Sequence, residues 1–231
     1  MWTHYISLNF PNQYLLPKTN PPNPTTNRFW QPVTETLTLE DYRARYSTYR
    51  LDPDLRRSHQ LFPWICIWDD HETANDSWPG GAENHNGGEG NWADRMNYGK
   101  KAFFEWLPIR ELGNQDPYQI YRTIPYGNLI DLIMLDTRLH GRDEQAGTTG
   151  TTVTSESREL LGSDQRLWMN QNLINSTAQW KIIVQQVMMA PLSVFGNING
   201  DQWNGYPAER NRFFDFVNSN AINNIVILTG D

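Results

Sequence analysis

The chain has a single cysteine, Cys66, among 231 residues. No internal disulfide can form, and a lone thiol inside an apolar run reads as a core residue. No run of about 18 apolar residues is present to make a membrane-spanning helix, and the first residues lack a basic region followed by an apolar one. The sequence as given therefore predicts no membrane span and carries no export signal. Basic residues are few: 19 Lys and Arg against 26 Asp and Glu leave a net charge of -7, which argues against an extended nucleic-acid-binding face. Neither His-Glu-x-x-His nor Gly-x-Ser-x-Gly occurs, which disfavours a zincin protease and the usual serine hydrolase. Aliphatic content is also low. Hydrophobic residues make up 38% and mean hydropathy is -0.67, while 10 Trp, 10 Tyr and 9 Phe supply apolar area instead and predict an aromatic-rich core. The length suits one large domain.

Residues 1–37 form an atypical segment, with a Pro/Asn/Thr cluster from Pro17 to Thr26 that has no period and predicts extended, poorly ordered chain. From Thr38 the pattern becomes regular. Thr38 is an N-cap with acidic Asp41 at N3, and Tyr42, Tyr46 and Tyr49 recur at helical spacing, which predicts a helix over Leu39–Tyr49. Asp52-Pro53-Asp54 opens a second helix through Gln60, and Phe62–Trp68 reads as a buried strand. The Gly/Asn-rich stretch between Trp78 and Trp92 is a candidate substrate or metal loop. A helix over Asp94–Trp106 follows, then a strand pair over Tyr118–Ile124 and Leu129–Leu135 joined through Pro125-Tyr126-Gly127-Asn128. Residues 141–158, which include Gly147–Thr152, read as a surface insertion. Ser163 caps a helix to about Asn172, Trp180–Met189 is a strand, Pro207 opens a helix to about Val217, and Ile225–Leu228 is a last strand, with approximate ends. Such alternation predicts a layered α/β domain whose strands carry chemistry at their carboxyl ends.

The densest chemistry is Trp68-Asp69-Asp70-His71-Glu72, directly after the apolar run Phe62–Ile67. Three carboxylates and an imidazole at one strand end cannot all be buried alone, because an unpaired buried charge costs several kcal/mol, roughly. A hard or borderline metal cation suits that donor set. An exposed acidic turn with a chance histidine is the plainer alternative. A carbohydrate- or ligand-binding module without catalysis is a further one, motivated by Trp78, Trp92 and Trp203 beside Asn/Gly loops. It leaves Asp70-His71-Glu72 unexplained.

Four strand-end elements stand in order: Trp68–Glu72, Leu135-Asp136-Thr137-Arg138, Gln185–Pro191 and Leu228-Thr229-Gly230-Asp231. With Thr38–Tyr46 and Asp201–Arg210, this set resembles the PhoD-like (alkaline phosphatase D) branch of the calcineurin-like metallophosphoesterases across residues 38–231. The resemblance implies a layered α/β/β/α sandwich, a metal-dependent phosphomonoesterase or phosphodiesterase acting on small phosphate esters, iron and calcium as metals, and an exported location. It makes Asp70, Asn75 and Asp231 metal ligands and gives His71 contact with the phosphate and its leaving oxygen. Chemistry suits Arg138 to clamping phosphate oxygens, with Asp136 positioning it. Asp69 and Glu72 would support the ligands, and Trp203 would border the substrate. Nothing in Met1–Arg50 matches the family's Gly-Asp-x-x-Tyr element, and the chain stops at Asp231, before the x-His that follows in the family. The domain is thus expected to be incomplete at both ends, with weak metal binding and poor hydrolysis or none.

Overall fold

The computed structural model describes residues 30–113, 116–146, 153–191, 193–194 and 197–230. The expected segment 1–37 lies mostly outside them, as do Gly147–Thr152 and Asp231. Two units emerge: one holds residues 1–66, 71–73 and 85–119, the other residues 67–70, 74–84 and 120–231.

In the first unit, α1 (Leu39–Tyr49) starts as its sequence predicts. Thr38 Oγ1 accepts from the Asp41 amide while the Asp41 carboxylate accepts from the Thr38 amide, closing a capping box. Asp52 caps α2 (Pro53–Leu61), and Asn91 caps α3 (Trp92–Trp106). α1 packs on α3, and Tyr42 and Tyr46 of the one and Ala102 and Phe103 of the other are buried. Arg43 adds a two-pronged pair to Glu105 at 2.7 and 2.6 Å, and Tyr46 stacks on Trp106.

Residues 62–68 belong to neither sheet among the described residues, so the expected strand is not formed there. Pro63 has no backbone donor for a ladder. The chain turns instead into a 3-10 turn over Asp70–Glu72.

The second unit is built on β1 (Arg122–Tyr126), β2 (Ile130–Met134), β3 (Trp180–Gln185) and β6 (Ile225–Thr229), in spatial order β1-β2-β3-β6. The short β4 (Ser193–Val194) and β5 (Asn197–Ile198) pair with each other. β1 and β2 form an antiparallel hairpin whose turn is Gly127–Leu129, because Tyr126 pairs with Ile130. β2, β3 and β6 are parallel, so their carboxyl ends share one edge. The crossovers carry α4 (Gly162–Asn175) and α5 (Pro207–Ser219). Alternation selects Ile133 and Ile183 to face Met169 and Leu173 of α4 and Phe213 of α5, in a core completed by Leu135, Leu160, Val187 and Tyr206. The class is mixed α/β, as the sequence predicts. α4 does not use Ser163 as its cap: Leu161 holds that position, and the Ser163 hydroxyl donates to Asp164.

The entry into α4 is set by two glycines back to back. Gly141 and Gly162 both have positive φ, +67° and +71°, and a Cβ on Gly141 would lie 2.6 Å from both Gly162 Cα and Leu161 O. Gly141→Ala should therefore destabilise the fold by about 2 kcal/mol or more, from backbone strain and overpacking together. Urea unfolding measures this, and an unchanged midpoint would contradict the packing described.

Candidate active site

The carboxyl edge of the parallel strands is fastened by side-chain amides. Gln186 follows β3, and its Oε1 accepts from the Thr137 amide (2.9 Å) and hydroxyl (2.6 Å). Its Nε2 donates to the carbonyls of Trp68 (2.9 Å) and Leu135 (3.0 Å), so one residue ties together the two segments that follow Ile67 and β2. Gln165 of α4 meets both backbone groups of Asp136, donating to its carbonyl and accepting from its amide. The Asp136 carboxylate then accepts from the amides of Arg138 and Leu139 at 2.9 and 2.8 Å. Asp136 therefore shapes the Arg138 backbone, while other groups hold the guanidinium.

Those groups are carboxylates. Arg138 Nε donates to Asp69 Oδ1 at 2.5 Å, Nη1 to Asp201 Oδ1 at 2.6 Å, and Nη2 stands 3.7 Å from Asp70 Oδ1. Arg142 adds a second guanidinium on Asp201 at 2.5 Å, and Gln145 donates to the same oxygen. Asp201 would be raised by burial, but Arg138 and Arg142 together bring it down to about 2. Burial disfavours the Arg138 cation, and Asp69, Asp70 and Asp201 more than reverse this, holding it well above the usual arginine range. With 1% of its surface exposed, Arg138 presents no free fork to a phosphate, and the clamp expected of it gives way to a role in holding carboxylates.

Asp76 is the counterpoint. Burial first, then the charges of Asp201 and Asp70, push its carboxyl up to about 7, against an opposing pull from Arg138. Its backbone has φ +51°, an αL conformation that Asp adopts more readily than most residues. It is fixed by its backbone amide donating a hydrogen bond to Asp70 Oδ2 and by Gln145 donating to its carbonyl. Strain and a displaced pKa together mark functional positions more often than chance.

The remaining expected site residues fall as follows. Asn75, half-buried, donates its amide to the Glu83 carboxylate. His71 is half-buried and Glu72 is buried in the 3-10 turn, both in the first unit. Trp203 is wholly buried against Phe213, its Nε1 donating to Gln185, so it is a core residue and not the substrate border expected. The Gly/Asn stretch is folded by local turns: Trp78 and Gly81 exchange backbone bonds, and Glu89 accepts from the Asn86 amide. The sequence points to no role for Arg142, Gln165 or Gln186, and it sets Asp76 and Asp201 only within the stretches Asn75–Trp92 and Asp201–Tyr206 that it expects to border the pocket. Gln186 and Asp201 lie in segments that carry the family resemblance, but only geometry distinguishes them from their neighbours.

The residue types suit a hard cation, yet among the described residues no three His, Cys, Asp or Glu side chains converge to hold one. Asp69 and Asp201 are taken by guanidinium groups. The described side chains thus do not make a metal centre by themselves.

Comparison with known proteins decides the family. The family model of PhoD-like phosphatases matches residues 9–231. The chain belongs to this family. Alkaline phosphatase D of Bacillus subtilis (strain 168) is 37% identical to it over 239 residues, covering 98% of this chain and 39% of that protein. A solved structure of PhoD superposes with a TM-score of 0.79 at 34% identity, over 93% of this chain and 42% of the other. The chain thus spans about two fifths of the length of these relatives. The family match also begins at residue 9, inside the segment 1–37 that the sequence reading set apart.

The Asp76 carboxyl gives a pH test with a definite sign. A folded value above the unfolded 3.8 means that folding favours its protonated form, so its contribution is complete below about pH 4 and fades as pH rises to about 7. In chelator-treated buffer, the stability of the wild-type chain relative to Asp76→Asn should fall across that window. Parallel stability curves would remove the displaced carboxyl.

Proposed function

We propose that this chain carries part of the active site of a metal-dependent phosphoester hydrolase, a phosphomonoesterase or phosphodiesterase acting on small phosphate esters. The observation that carries this reading is the buried carboxylate cluster at the carboxyl edge of β2 and β3 in a PhoD-like chain. Three carboxylates, Asp69, Asp70 and Asp201, face the two guanidinium groups of Arg138 and Arg142 there, with Asp70 at 3.7 Å from Arg138. Excess negative charge of this kind is what a bound cation relieves.

Iron and calcium are the metals of this reading, with Asp70, Asn75 and Asp231 as ligands. Asp70 and Asn75 are too few for a centre alone, and Asp231 is outside the described residues. Metal ions, when bound, would polarise the phosphoryl group. His71 holds the proton that passes to the departing oxygen, while Asp69 and Glu72 support the turn that carries it. Arg138 fixes Asp69 and Asp201 without meeting substrate, and Asp136 sets its backbone. The four-layered sandwich and an exported location belong to the same reading. Of the three tryptophans behind the alternative of a binding module, Trp78, Trp92 and Trp203, the last is buried.

The test is phosphate release from a mono- and a diester by the 231-residue chain supplied with iron and calcium. His71→Asn should lower kcat by about 10²-fold or more, the usual loss with a general acid, at unchanged far-ultraviolet circular dichroism. Equal turnover by the variant would overturn the role given to His71.

A further inference from the structure

The sequence placed the residues after His71 at a strand end. The structure instead seats Glu72 and Thr73 against two helices of the first unit. Tyr42 of α1 is buried, and its hydroxyl donates to the Thr73 carbonyl at 2.6 Å. That hydroxyl lies 3.4 Å from Nε of Arg95, a buried side chain of α3. Arg95 is oriented in turn by Glu35 at 2.8 Å and Glu89 at 3.2 Å, with His85 Nδ1 at 3.4 Å from the same Nη1 that meets Glu89. A second contact comes from the α3 backbone. A Cβ on Gly99 would stand 2.5 Å from Thr73 Cγ2 and 3.0 Å from the Glu72 carbonyl, so the glycine lets the helix lie directly on this segment.

We infer that Tyr42 and Arg95 are positioning residues that fix the backbone after His71, and that α3 is the wall against which that segment is set. The inference rests on the reading of His71 as the group facing the phosphate, but the clamp itself is a matter of geometry. A single hydroxyl anchors a carbonyl two residues beyond the imidazole. A guanidinium whose carboxylate partners come from residues 35 and 89 holds that hydroxyl from behind, so both flanking loops bear on the placement of the imidazole. Small errors of placement matter here, since proton transfer needs heavy atoms within about 2.6–3.2 Å.

Tyr42→Phe removes only the hydroxyl. In the 231-residue chain, amide exchange over residues 71–74 should accelerate about tenfold, the loss expected from one buried hydrogen bond. The His71 ring signals in 1H–13C spectra should shift, while amides of β3 and α4 keep their rates. Glu35→Gln alters a partly exposed partner of Arg95 and should give a smaller change in the same signals. In the phosphate-release assay, Tyr42→Phe should lower kcat with KM held. Unchanged exchange and unchanged His71 signals in both variants would overturn the clamp. Shifted signals with kcat unchanged by Tyr42→Phe would uphold the clamp and overturn the reading of His71 as the group facing the phosphate instead.

Discussion

A buried guanidinium shared by carboxylates from two distant places in the sequence is the constraint on which the second unit's edge depends. Asp69 comes from the segment after Ile67, Asp201 from the loop before α5, and Arg138 from the end of β2. None of these charges could be buried alone, since removing one partner of such a pair typically costs about 3–5 kcal/mol. The three loops are therefore held in one arrangement or not at all. Gln186 and Gln165 complete the fastening by satisfying backbone groups that strand ends leave exposed. Around this knot Tyr206 is packed beneath two cations, Arg142 and Arg158, at 5.2 and 4.6 Å from its ring centre.

The arrangement is more than structural because its charges do not cancel. Arg138 and Arg142 hold Asp201 ionised down to about pH 2, whereas Asp76 beside them is pushed to about 7. Two carboxyls in one cluster with values driven so far apart make one a fixed charge and the other a group that titrates near neutrality. The chain belongs to the PhoD-like phosphatase family, and this edge gathers the carboxylates on which the proposed function rests. The relatives are more than twice as long.

Much of this was legible in the sequence, and what was not has physical reasons. The capping box at Thr38, the prolines opening α2 and α5, and the apolar runs of β2, β3 and β6 are local signals that tertiary contacts did not override. Phe62–Trp68 misled because an apolar run reads as a strand whether or not it joins a ladder, and here only Cys66, Ile67 and Trp68 are buried while Phe62 is exposed. Trp203 misled because an aromatic beside Asn and Gly suits a pocket rim as well as a core, and only burial separates the two. Asp69, Asp70 and Asp136 stand out as strand-end carboxylates. Arg138 also stood out, but its natural reading as a phosphate clamp ignored acids more than sixty residues away in either direction. Asp201, Arg142 and Gln186 acquire their roles only through such long-range pairing, which no local pattern encodes.

The central claim is that Arg138 is the counterion of this edge, and its removal is the most direct measurement. Urea unfolding of Arg138→Met should show a loss of about 3–5 kcal/mol. Adding Asp69→Asn and Asp201→Asn to that variant should recover at least about 1.5 kcal/mol, because the orphaned charges are then gone. A loss under about 1 kcal/mol for Arg138→Met, with further loss on adding the two asparagines, would contradict the account.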